Sequence, residues 1–213
     1  MATAALRLLS TAETTPPKSV PDDEAVALYD LVAPGRLVEL SATPHGPSAR
    51  TSTAVAVLRR TQREGETTAW IQLAGGQLHP PDLHDAGVDL DALVVIHVPV
   101  DEGAAGLGKA AELLLRSEAF GLVVVDLGSL SSRTAWHGRL LGLARQHESR
   151  VLLLTDKSSD VESLGTLVGL RVEPRRMARP EGGFDVEHRV LKNKSGAPVL
   201  PAEDRFVGPP GLH

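Results

Sequence analysis

The sequence has no cysteine in its 213 residues, which excludes a disulfide framework, a thiolate zinc site and a cysteine nucleophile. An ordinary reducing compartment suits such a chain, and the cytoplasm is the expected location. Long apolar runs are missing as well. The stretch from Met1 to Leu9 carries one arginine, is too short to span a bilayer and lacks a clean small-residue cleavage site. Neither a targeting segment nor a membrane partner is therefore expected. Positive charge is in deficit, with 22 lysines and arginines against 27 aspartates and glutamates, a formal net of −5. That balance argues against broad, non-specific coating of nucleic acid. No internal repeat or sustained low-complexity tract is found.

What is present suits one domain with a large core. Its charge is unevenly spread. From Asp82 to Glu102 every charged residue is acidic (Asp82, Asp85, Asp89, Asp91, Asp101, Glu102), whereas Arg171, Arg175, Arg176, Arg179, Arg189, Lys192 and Lys194 crowd the C-terminal third. The second group predicts a basic face.

Residues 11–23, TAETTPPKSVPDD, combine prolines with small polar residues that do not continue a helix, and they read as a linker. A short helix is expected over Asp23 to Leu31, so residues 1–34 form an N-terminal helix and proline-rich linker region. From Gly35 the pattern alternates apolar runs with amphipathic stretches, the signature of a parallel sheet with crossover helices. Strands are predicted at Arg36–Leu40, Thr68–Leu73, Leu93–Val98, Leu122–Asp126 and Val151–Thr155. Helices are predicted at Thr51–Glu64, Pro80–Ala86, Glu102–Ser117 and Thr134–Gln146. LVVVD and VLLLT are apolar almost throughout and suit strands buried on both faces. After Lys157 the rhythm changes, and GLRVEP with FDVEHRVLKN predicts an antiparallel hairpin. The core domain spans 35–200, and residues 201–213 form a Pro/Gly-rich tail, an ordered edge segment followed by looser chain.

The stretch GRLVELSATPHGPSARTSTAVAVLRRTQREGETTAWIQL, Gly35 to Leu73, resembles the first strand, phosphate loop, helix and second strand of bacterial RecA recombinases. GVDLDALVV (Gly87 to Val95) is similar to the segment leading into the third RecA strand, GLVVVD (Gly121 to Asp126) to the Walker B strand, and RVEPRRM with HRVLKNKSGAP (His188 to Pro198) to the hairpin whose lysine pair lies at the RecA subunit boundary. The resemblance implies an α/β fold with a RecA-like core: a mainly parallel twisted sheet flanked by helices and closed by a C-terminal antiparallel hairpin. It does not by itself confer activity.

A phosphate loop reads G-x-x-x-x-G-K-[ST], because bare backbone must approach the phosphates, a lysine must neutralise them and a hydroxyl must hold magnesium. Here the matching end reads Ser48-Ala49-Arg50-Thr51-Ser52. Ala49 stands where glycine is required, Arg50 replaces the lysine with a bulkier planar group, and only Thr51 keeps its type. Residual anion binding by Arg50 at the helix N-terminus is one reading; a remnant loop with Arg50 solvated or salt-bridged is the preferred one. The glutamate that activates water just after the second strand of RecA-like ATPases has no counterpart in Gln72-Leu73-Ala74-Gly75-Gly76-Gln77. Positioning supplies nearly all catalysis in phosphoryl transfer, so this loss alone costs orders of magnitude. Asp126 matches the Walker B aspartate and is read as a remnant with a structural role. No cofactor and no catalytic residue is expected.

Other candidates are weaker. His79 and His84 lack a third ligand, His45 is no better supported, and no metal site is expected. The stretch from Ser131 to His137 lacks a nucleophile elbow and does not read as a hydrolase. Trp136 is a helix-packing residue in the ordinary case; exposed beside Arg133 and Arg139 it would suit a protein interface or single-stranded DNA. Arg175, Arg176, Arg179, Lys192 and Lys194 are candidate contacts for phosphates or an acidic partner, against the alternative of a salt-bridged hairpin.

A short, cysteine-free, RecA-like chain with a broken phosphate loop, a truncated DNA loop and no appended C-terminal domain resembles the ImuA proteins of bacterial mutagenesis cassettes. The resemblance implies a non-catalytic accessory of translesion synthesis under SOS control. Its implied partners are an inactive Y-family polymerase homologue, an error-prone polymerase and RecA itself, with weak DNA binding as a further expectation. Two alternatives stay open: a SulA-like inhibitor of cell division, and a nucleotide-dependent DNA-binding ATPase with an unusual loop.

Overall fold

The computed structural model describes residues 26–44, 46–76, 78–130, 134–179, 183–195 and 203–206. Along the chain run α1 (Val26–Leu31), β1 (Leu37–Ala42), α2 (Arg50–Arg63), β2 (Thr68–Leu73), α3 (Pro80–Asp85), β3 (Leu93–Val98), α4 (Gly103–Arg116), β4 (Leu122–Gly128), α5 (Thr134–Gln146), β5 (Arg150–Asp156), β6 (Leu170–Ala178), β7 (Phe184–Asn193) and β8 (Glu203–Phe206). The strands form one sheet in the order β3-β2-β4-β5-β1-β6-β7-β8. Neighbours from β3 through β6 are parallel, and β6, β7 and β8 are antiparallel. Mixed α/β architecture, a mostly parallel sheet and an antiparallel C-terminal pair are thus as the sequence pattern predicts.

The apolar runs explain the layering. In β4 and β5, Leu122, Val124, Leu152 and Leu154 face one layer with Val38, Leu40, Trp70 and the α2 residues Ala54, Val57 and Leu58. Val123, Val125, Val151 and Leu153 face the other, against Leu107, Ala111 and Leu115 of α4 and Trp136, Leu140 and Ala144 of α5. A strand flanked by helices on both sides has no polar face to show, which is why LVVV and VLLL carry no alternation. Each such leucine or valine contributes about 1.5–3 kcal/mol on burial. Among the described residues no helix is long and apolar enough to cross a membrane.

Glu203–Phe206, inside the ordered edge segment expected at the start of the 201–213 tail, pairs antiparallel with β7 as the eighth strand of the sheet. The pairing satisfies backbone groups that β7 would otherwise leave open at the sheet edge. The linker of residues 11–23 and the Ala4 to Leu9 stretch lie outside the described residues.

Candidate functional site

The loop joining β1 to α2 sits at the C-terminal ends of the parallel strands, where open α/β sheets place their sites. A cleft of about 570 Å³ opens there, lined among others by Thr43, Gly46, Ser48, Arg50, Thr51 and Asp156. Its geometry differs from an open phosphate cradle. The backbone N–H of Gly46 donates to Thr43 O at 3.0 Å, that of Ser48 to Gly46 O at 2.8 Å, and that of Ala49 to Pro174 O at 3.1 Å. The Arg50 N–H donates to Ser48 Oγ at 3.1 Å. The loop is zipped to the hairpin, with Ser48 bridged to Arg175 and Arg176 N donating to Pro47 O at 2.9 Å. Ala49 is buried, its methyl group in a small cluster with Phe184 and Val186.

Arg50 occupies the space in front of these groups. Its Nη1 binds Asp156 Oδ1 at the end of β5, and its Nη2 lies 3.8 Å from Asp126 Oδ1 near the end of β4. The arginine side chain is only 14% exposed, against 26% for Asp126 and 36% for Asp156. Asp126 also accepts a 3.2 Å hydrogen bond from the Gly128 N–H; Gly128 has φ +53°, a conformation that suits glycine. Burial pushes the Asp126 carboxyl above its usual range, opposed by the Arg50 guanidinium and the Gly128 N–H, and reinforced by the neighbouring charge of Asp156.

Gln72 stands at the end of β2, beside the Asp126 end of β4, and is buried with its Nε2 at 3.5 Å from His97 Nδ1. No carboxylate occurs from Gln72 to Gly76, and Gln77 lies outside the described residues.

The other sequence-derived candidates do not gather at this cleft. Trp136, weighed as a partner or DNA contact, is instead a core residue with 6% exposure. Its ring lies so close to Gly108 that an added Cβ there would sit 2.8 Å from Trp136 Cδ2. The basic face is also corrected in part. Arg171 is almost fully buried. Lys192 Nζ donates to Gly165 O at 2.8 Å, and Lys194 Nζ donates to Thr166 O. Burial, then the charge of Lys194, holds the Lys192 amine below its usual range. Arg179 lies 3.6 Å from Asp185, and the Arg176 guanidinium stacks 3.8 Å from the Phe184 ring centroid. Arg175 and Arg176 remain exposed on the hairpin. His79 and His84 approach Asp82 and Asp85 on the surface; among the described residues no group of three or more His, Cys, Asp or Glu is arranged to hold a metal. His45 and Ser131 to Arg133 lie outside the described residues.

Sequence reasoning missed a second polar centre. Glu39 of β1 is fully buried and pairs in register with Arg171 of β6. Its carboxylate accepts from Thr155 Oγ1 at 3.0 Å, Ser163 Oγ at 2.8 Å and Leu164 N at 3.0 Å, with Arg171 Nε at 3.8 Å. Arg171 donates in turn to Ser41 Oγ at 3.0 Å and to the carbonyls of Ser158 and Val161. The β5–β6 connection is thereby tied down by a buried, fully hydrogen-bonded ion pair. The available signal was a glutamate third in a strand with no other charged residue, LVELSA.

Protein-family models and curated proteins give no match to this chain. The assignment of function therefore rests on the cleft and on the sequence motifs.

Proposed function

We propose that this chain is a non-catalytic RecA-like accessory protein of error-prone translesion DNA synthesis in the DNA-damage response. In this reading it acts by contact with an inactive Y-family polymerase homologue, an error-prone polymerase and RecA. The observation that carries the non-catalytic part is the closure of the β1–α2 loop. Backbone N–H groups needed to cradle phosphates are spent on Thr43, Gly46, Ser48 and Pro174, and a tethered guanidinium neutralises the two strand-end aspartates. A magnesium–triphosphate would have to displace an ion pair and undo a packed alanine before gaining any contact. The damage-tolerance part rests on the collinear motifs between Gly35 and Pro198 and on their resemblance to the ImuA proteins.

A capture experiment with purified RecA and the two cassette polymerases tests the reading. Saturable association with at least one of them at micromolar concentration is expected, together with no ATP turnover by the chain. Absence of association with all three contradicts it. Capture of a tubulin-like division protein instead would favour the SulA-like alternative, and turnover abolished by Asp126→Ala would favour the ATPase.

A further inference from the structure

Residues 157–169 join β5 to β6 and border, with Arg171 of β6 and Leu191 and Lys192 of β7, an open cavity of about 440 Å³. Its wall also carries the hydroxyl residues Ser163 and Thr166. Of the five lysines in the chain, Lys109 and Lys194 are exposed, whereas Lys192 is half-buried at this wall. Its Nζ is held in place by Gly165 O at 2.8 Å, a carbonyl that also accepts the Val168 N–H at 3.3 Å. The charges around the amine do not neutralise it. Arg171 on β6 and Lys194 on its own strand are cations, and the opposing acid, Glu39 of β1, already accepts from Thr155, Ser163 and Leu164. On the connection, Asp160 and Glu162 are exposed at the rim. Burial, followed by the neighbouring cations, favours the neutral amine, the form in which a lysine is a nucleophile.

We propose that Lys192 is an acylation site, its amine taking a short, uncharged acyl group from a thioester into the cavity beside Gly165. The lone pair of the neutral amine attacks the thioester carbonyl carbon. The C–N bond forms as the C–S bond breaks, the thiolate leaves, and the proton lost by nitrogen passes through water to that thiolate. Amine and thioester become amide and thiol, with nothing oxidised or reduced. Acylation removes the charge of Lys192 and leaves its nitrogen a single N–H. The charge-assisted bond to Gly165 O gives way to a neutral one, roughly half as strong. Gly165 and Val168 stand just before β6, so the end of the connection is loosened while Glu39 and Arg171 still hold its middle at Ser158, Val161, Ser163 and Leu164. The inference requires neither a polymerase nor RecA, and its failure leaves the proposed function untouched.

The test incubates the full chain with S-acetyl-N-acetylcysteamine, a small uncharged thioester, and follows acetylation at each lysine by peptide mass spectrometry. Lys192 is expected to react at least about threefold faster than Lys109, Lys157 or Lys194. Its rate should also level off at a lower pH than that of the exposed Lys109, because its amine is already neutral there. Lys194→Gln removes a cation that favours the neutral amine and should slow the reaction at Lys192 by about twofold or more; a lysine that reacts through accessibility alone would not slow. Hydrogen exchange reads the consequence. The Val168 amide should exchange at least about threefold faster in the acetylated chain and in Lys192→Gln, and at the parent rate in Lys192→Arg, which keeps the charge and the donor. Acetylation of Lys192 no faster than of the other three lysines, or an undiminished rate in Lys194→Gln, overturns the site. An unchanged Val168 amide in the acetylated parent chain, which needs no variant to fold, overturns its effect on the connection.

Discussion

Replacing Arg50 by methionine keeps the aliphatic stem against the loop and removes only the guanidinium. Asp126 and Asp156 then share the end of the sheet with no cation between them. Exposed ion pairs contribute about 0–1 kcal/mol, whereas breaking a buried one costs about 3–5 kcal/mol. With the arginine 14% exposed and its partners 26% and 36%, an intermediate loss of about 2 kcal/mol is expected at neutral pH. For a domain of this size that lowers Tm by roughly 4–8 °C. The pH dependence follows from the direction of the Asp126 shift. Its folded-state pKa lies above the unfolded value of 3.8 because of burial, so ionisation costs stability, fully at pH above the folded value and not at all below the unfolded one. Losing Arg50 removes the main opposing influence and raises the folded value further. The gap between Arg50→Met and the parent should therefore be widest near pH 7 and close as pH falls through the raised Asp126 value. Adding Asp126→Asn to the methionine variant should recover part of the loss, and the double-mutant cycle isolates the pair. Urea denaturation at several pH values is the assay. Equal stability at pH 7, or a gap that widens in acid, would refute the reasoning.

Three further outcomes follow from the packing. Glu39→Gln removes the charge opposite Arg171 while leaving the guanidinium buried, and should cost about 3–5 kcal/mol by urea denaturation; the paired change Glu39→Met with Arg171→Met should cost markedly less. Gly108→Ala gains about 1 kcal/mol in helix propensity but forces a methyl into the Trp136 ring, at a cost of about 1–3 kcal/mol; lower stability with altered tryptophan fluorescence is expected. His137 is buried, and burial holds its pKa below the unfolded value of 6.5, against a smaller opposing influence of Glu39. Its contribution is present above pH 6.5 and is lost as pH falls through the folded value, so His137→Gln should flatten the acid side of the stability profile.

Most of the sheet was legible because its strands are buried on both faces and its helices carry a stripe on one. β2 and β3 run over the residues their apolar runs define. β4 extends two residues past Asp126, to Gly128, because the chain continues its pairing with β5 through a bulge that no periodicity reveals. The β1–α2 loop was legible as residue types that depart from the phosphate-loop pattern at Ala49 and Arg50. Its closure was not: Ala49 meets Phe184 and Val186 across more than a hundred residues of chain, and such contacts leave no local trace. Arg171 misled for a related reason. In sequence it belongs with six other basic residues of the C-terminal third, and only the parallel register of β1 and β6 brings it to Glu39.

Calorimetric titration of the purified chain with ATP, with and without magnesium, bears most directly on a loop whose N–H groups are already bonded. No saturable heat below millimolar nucleotide is the expected result. A magnesium-dependent isotherm with micromolar affinity would mean that the loop opens around a triphosphate, and would contradict a role built on protein contact alone.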